Sequence, residues 1–94
     1  MSATNINVIH NTSQSRFEAT VDGLLCVADY QEIGKVMHMT HTVVPGALEG
    51  RGIAAALVST ALDWARTQGY KVNPVCSYVR VYMQRHPETQ DLRT

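Results

Sequence analysis

The sequence predicts an α+β fold: an antiparallel meander in the first half, then a helix, a strand and a second helix. Three observations carry this. Phe17, Ala19 and Val21 alternate with Glu18 and Thr20, the two-residue period of a half-buried strand. From Ile53 the period changes to three and four, with Leu57, Ala61 and Trp64 on one face and Ser59, Asp63 and Arg66 on another. Asp22-Gly23 and Pro45-Gly46 are turn-forming pairs that cut the chain into short pieces.

In chain order, Ile6 to Ile9 is a short apolar element closed by the polar cluster Asn11 to Ser15. After the strand ending at Val21, Asp22-Gly23 reads as a hairpin turn because both residues tolerate positive φ. Leu24 to Tyr30 and Lys35 to Val44 are the returning strands, joined through Gln31-Glu32-Ile33-Gly34. The main helix starts near Ile53 and ends at Gly69, a residue suited to a left-handed cap. Tyr70 to Cys76 has the length of a strand, which Pro74 restricts to an edge or a distortion. Ser77 is the expected cap of a second helix, Tyr78 to Arg85, which stops before His86-Pro87 because the residue ahead of proline disfavours helical backbone.

Composition narrows the function classes. Ninety-four residues, 45% of them hydrophobic and 17% charged, suffice for one core and one shallow site, so a single domain over residues 1–94 is expected. Eight basic residues balance eight acidic ones, which removes the long-range attraction that nucleic-acid coating needs. Cys26 and Cys76 stand far apart without a CxxC or a paired histidine, so no metal site is expected and both thiols read as reduced. The first ten residues lack the basic start and apolar stretch of a leader, and the run Ile53 to Val58 is too short to cross a bilayer. A cytoplasmic protein without membrane contact is expected.

The stretch Leu48-Glu49-Gly50-Arg51-Gly52-Ile53-Ala54 brings two glycines to the entrance of the main helix, where the first backbone N–H groups have no intrahelical partner. Such a turn gathers partial positive charge, and glycine lets an anion approach the backbone unhindered, so a phosphate group is the natural guest. The spacing is neither GxGxxG nor a P-loop. A plain strand-to-helix turn would use the same glycines, and local physics alone leaves both readings open.

The glycine turn resembles the acyl-CoA pyrophosphate loop of the GNAT (GCN5-related N-acetyltransferase) superfamily, Gln/Arg-x-x-Gly-x-Gly/Ala, filled from Glu49 to Ala54 except at its first position. Three further blocks lie in order around it: His41-Thr42-Val43-Val44-Pro45, Lys71 to Val79, and Arg85-His86-Pro87-Glu88. Together they resemble the small single-domain branch of that superfamily, the YjdJ-like or "CG" type, over roughly Arg16 to Leu92. The resemblance implies a minimal GNAT fold with a splayed strand, and acetyl-CoA or CoA lying in the gap. It implies that Val43 and Val44 pair with the pantetheine amides and that Gly50, Arg51, Gly52, Ile53 and Ala54 receive the pyrophosphate. His86 before Pro87 reads either as a cap of the last helix or, alongside Arg85, as a contact to the CoA phosphates. It also implies transfer of the acetyl group to an amine. So short a chain offers no insertion to wall an acceptor pocket, so the expected acceptor is a protein or other macromolecule docking over an open cleft of a monomer, or a second subunit of a homodimer completes the wall. A module that holds CoA without turnover is the rival reading, and an interaction domain without any coenzyme is a third.

Cys76 directly precedes the second helix, where the positive end of a helix favours thiolate over thiol. It is the candidate nucleophile for a two-step covalent route, a route the resemblance also implies. A cysteine serving only as a small buried hydrophobe is the alternative. Direct attack by the amine instead needs a base and an acid. His41, expected to face the cleft, is the candidate base or an orienting group, and Tyr82 in the second helix is the candidate acid or a packing residue.

Overall fold

The computed structural model describes residues 6–94; the leader-free reading of residues 1–5 lies outside them. Five strands form one sheet in chain order: β1 (Ile9–Asn11), β2 (Arg16–Val21), β3 (Leu24–Ile33), β4 (Val36–Val43) and β5 (Lys71–Pro74). The first four pair antiparallel and β5 pairs parallel to β4. Two helices, α1 (Ile53–Gln68) and α2 (Ser77–Arg85), follow β4 and β5 respectively. This is the expected α+β order, matching a minimal GNAT fold.

The sheet buries one face. Phe17, Ala19, Cys26, Ala28, Met37 and Met39 point inward against Leu57, Val58, Ala61 and Ala65 of α1. Alanines at Ala28, Ala61 and Ala65 bring helix and sheet close, while the methionines fill the irregular space between larger neighbours. The helix α2 packs on the ends of β4 and β5 and touches α1 through the buried pair Val79 and Met83.

Boundaries differ from the sequence reading in five places, the smallest being β4, which is Val36–Val43 where Lys35 to Val44 was expected. Strand β1 begins at Ile9, where the apolar stretch was expected to end. Strand β3 runs on through Gln31-Glu32-Ile33, and Ile33 closes on Val36 across the two residues Gly34-Lys35. Strand β5 is only Lys71–Pro74, at the sheet edge, because Pro74 has no N–H to carry the ladder further. Cys76, with extended backbone, is the residue that caps α2, and Ser77 is already helical. Beyond α2, a 3₁₀ turn over Pro87–Leu92 buries Thr89 and Leu92, and the Thr94 N–H donates to the Val72 carbonyl. No helix among the described residues is long and apolar enough to cross a membrane.

Candidate functional site

The chain enters α1 through Gly50 and Gly52, whose φ angles are 82° and 79°, with Arg51 between them. Side chains rarely adopt that left-handed backbone, so the turn depends on glycine. No side chain caps α1, and the first helical hydrogen bond runs from the Ala56 N–H to the Gly52 carbonyl at 3.1 Å. The N–H groups of Ile53, Ala54 and Ala55 therefore lack intrahelical acceptors. They open on a cavity of about 410 Å³ whose walls are the glycine turn, Thr42 and Val44 from the end of β4, Leu48, and Tyr78 from α2. Glu49 is the only charged side chain in its lining.

The opposite wall arises from a break in the sheet. Asp29 pairs with His41 and Tyr30 with Met39, so Thr40 is an extra residue on β4. A bulge of this kind bends its strand. Strand β5 pairs with β4 only up to Met39↔Pro74, leaving Thr40 to Val43 beyond its reach. The chain then crosses the mouth of the gap, where the Cys76 N–H donates to the Met39 carbonyl at 2.9 Å.

Cys76 is half-buried at that mouth, with Sγ 3.6 Å from Thr42 Oγ1. Burial pushes its thiol up, but the Val79 amide, the Thr42 hydroxyl and the amides of Tyr78 and Thr42 together hold it below the ordinary thiol value. No cap hydrogen bond closes on the sulfur, so the helix amides act on it as nearby dipoles. Cys26, by contrast, is fully buried in β3 and its thiol is pushed up by burial alone.

The cavity gathers some of the residues singled out in the sequence and leaves others outside. Val44, Gly50, Gly52, Ile53 and Ala54 line it, and Cys76 adjoins it through Thr42. Arg51 turns away and bonds Asp22 with Nη1–Oδ2 2.8 Å. His41 and Val43 face the other side of the sheet, paired with Asp29 and Val27, while Thr42 pairs with buried Ala28. The extra residue at Thr40 is the reason His41 does not reach the cleft. Tyr82 stacks on His86 at 4.0 Å between centroids and borders a separate recess with Ser59 and Leu62. Arg85 is exposed at the far end of α2.

Two site residues escape sequence reasoning, Thr42 and Tyr78. Thr42 stands between His41 and Val43, and Tyr78 two positions after Cys76; only the register with β3 and the docking of α2 bring these two to the cavity. Burial, then neighbouring Tyr82, pushes the Tyr78 phenol up while Arg85 opposes them, so Tyr78 keeps its proton at neutral pH.

The sequence model of the GCN5-related N-acetyl-transferase family matches residues 16–92. The chain belongs to that family. Among its relatives, Protein NATD1 of Mus musculus is 33% identical over 90 residues, covering 93% of this chain and 82% of the relative. Protein NATD1 of Xenopus tropicalis is 31% identical over 93 residues, covering 96% and 85%. A solution structure of a GCN5-like protein from Staphylococcus aureus superposes with a TM-score of 0.73 over 100% of this chain and 91% of that one; at 22% identity this speaks to the fold.

Acetyl-CoA, the coenzyme of GCN5-related transferases, can be tested against the residues present. Its diphosphate needs backbone donors and close approach, and the turn offers three unpaired amides next to two glycines whose missing Cβ positions face open space. Its amide-bearing arm needs an unpaired strand edge, and Thr40 to Val43 provide one. The residues fit the group. Glu49 and the diverted Arg51 mean that the fit rests on the backbone, without a cationic side chain at the turn.

Proposed function

We propose that this protein is an acetyl-CoA-dependent N-acetyltransferase of the small YjdJ-like branch, a single domain that passes the acetyl group to an amine through Cys76. One observation carries the reading: a thiol held below its ordinary pKa adjoins, through Thr42, a cavity floored by the free amides of α1. The Cys76 thiolate attacks the thioester carbonyl, forming a new sulfur–carbon bond as the bond to the coenzyme sulfur breaks, and the coenzyme leaves as a thiolate that takes up a proton. An acceptor amine then attacks acetyl-Cys76, forms the amide, and returns the thiol after losing its own proton. Protonated Tyr78, on the cavity wall, is the side chain positioned to supply a proton to the leaving sulfur.

The direct route has less support, because His41 and Tyr82 both stand off the cavity. The cleft is open and shallow, which favours an acceptor that brings its own walls, such as a protein amine or a second copy of this chain. A cytoplasmic site of action belongs to the same proposal, supported by two free cysteines of which one must stay reduced to act.

Intact-mass spectrometry after exposure to acetyl-CoA tests this. An acetyl adduct on the wild-type chain that vanishes in Cys76→Ala is the expected result. Saturable CoA binding with no adduct and no thiol release above background would make the protein a coenzyme-holding module instead.

A further inference from the structure

The turn that receives the diphosphate in the reading above carries little side-chain support of its own. Its two glycines carry no side chain, and the residues after them, Ile53 to Ala56, are apolar. Among the described residues, the side-chain hydrogen bond that reaches the turn comes from outside it: Arg51 Nη1 donates to Asp22 Oδ2 at 2.8 Å. Asp22 belongs to another element, the hairpin between β2 and β3. It occupies the first position of the β2–β3 hairpin turn at φ 52°, followed by Gly23 at φ 77°, and Val21 pairs with Leu24 to close the hairpin. A carboxylate on the β2–β3 hairpin thus bonds the one side chain that lies between the two glycines.

We propose that Asp22 is a positioning residue for the coenzyme turn: through Arg51 it pins Gly50 to Gly52 in the left-handed geometry that aims the α1 amides into the cavity. This rests on the coenzyme reading, and it adds to that reading a residue distant in sequence and outside the cavity lining. Pinning a loop in its bound shape raises affinity by removing the entropy lost on binding. The pair is exposed, so its effect is modest, and it acts on the phosphate-bearing part of the ligand alone.

The hairpin makes the test clean. Glycine and asparagine both suit the first position of such a turn, so Asp22→Gly deletes the carboxylate and Asp22→Asn weakens it without breaking the fold. The first readout needs no ligand: NMR order parameters of the Gly50, Arg51 and Gly52 amides fall in Asp22→Gly and in Arg51→Gln, fall no further in the double variant, and recover partly in Asp22→Asn. The second is calorimetric, with CoA and pantetheine as probes. Asp22→Gly weakens CoA about two- to fivefold, the scale of an exposed ion pair, and leaves pantetheine unchanged. Unaltered order at the turn overturns the inference, as does equal weakening of both probes. Tighter CoA binding in Asp22→Gly also overturns it, by showing that Asp22 withholds Arg51 from the phosphates. If the wild-type chain bound neither probe, the coenzyme reading would fail, while the order parameters would still decide whether Asp22 pins the turn.

Discussion

Cys76 Sγ and Thr42 Oγ1 lie 3.6 Å apart across the gap where β4 and β5 separate. The contact joins the two walls of the site at a thiol held below its ordinary pKa. Thr42 donates its hydroxyl proton to a thiolate more strongly than to a thiol, so it favours the charged form. Replacing it with valine keeps the shape and removes the donor. Thr42→Val is expected to slow alkylation of Cys76 by iodoacetamide near neutral pH about two- to fivefold, the effect of one lost hydrogen bond among several. The pH–rate profile checks this: its inflection moves up, while Cys26, buried and with its thiol raised, stays unlabelled in both proteins.

A second relationship sets the pH response of the fold. His10 lies flat on Phe17, with ring centroids 4.1 Å apart, meets Trp64 edge-on at 4.7 Å, and has Nε2 2.6 Å from the Tyr30 hydroxyl. Burial lowers its pKa, with Glu32 opposing. The unfolded chain therefore binds a proton that the folded one refuses, and stability falls as pH drops from the ordinary imidazole value of about 6.5 towards the lowered folded value. Below that value the loss is complete and the profile flattens. Urea midpoints across this range are expected to fall in the wild type and to stay flatter in His10→Phe. Trp64 fluorescence, reporting the same cluster, should change over the same interval.

The α1 entrance offers a test of backbone strain without steric interference. A Cβ built on Gly52 meets nothing within 4 Å, yet its φ is 79°. Gly52→Ala is expected to destabilise the fold by about 1–2 kcal/mol through the left-handed backbone alone. Gly46→Ala, at a glycine with open space and no positive φ, is the control and should change stability little. Chemical denaturation of the two variants separates strain from crowding. Equal midpoints would mean that the turn relaxes to another shape, and coenzyme affinity would then drop with stability unchanged.

Much of this architecture is legible in the sequence because the signals are local. Asp22-Gly23 dictates its own turn, the three- and four-residue period of Leu57, Ala61 and Ala65 dictates the buried face of α1, and Gly50 and Gly52 mark the helix entrance. What is not legible depends on distant partners. Gln31 and Glu32 look like a loop but continue β3, because β4 pairs with them as His38 and Met37. Met37, Met39 and His41 share a parity and would face one side of an unbroken strand; the extra residue at Thr40 gives the inward position to Thr42. That insertion follows from the register with β3, which no pattern within β4 records. On α2 the sequence offers Tyr78 and Tyr82 one turn apart, and only the docking of Val79 and Met83 decides which ring reaches the cavity.

The two tyrosines also separate the chemical routes. Tyr78 walls the cavity and retains its proton, whereas Tyr82 stacks on His86 and borders the other recess. Tyr78→Ala is expected to weaken CoA binding about three- to tenfold, the scale of one lost aromatic contact. Tyr78→Phe keeps that contact and removes the hydroxyl, so affinity should hold while acetylation of Cys76 slows about tenfold or more, as for a lost general acid. Tyr82→Phe keeps the His86 stack and should leave both measurements at wild-type level. A drop in turnover confined to Tyr82→Phe would shift the acid to the helix position one turn on. It would then require α2 to rotate Tyr82 away from Ser59 and Leu62 before reaction, a movement that Trp64-independent labels on α2 would register.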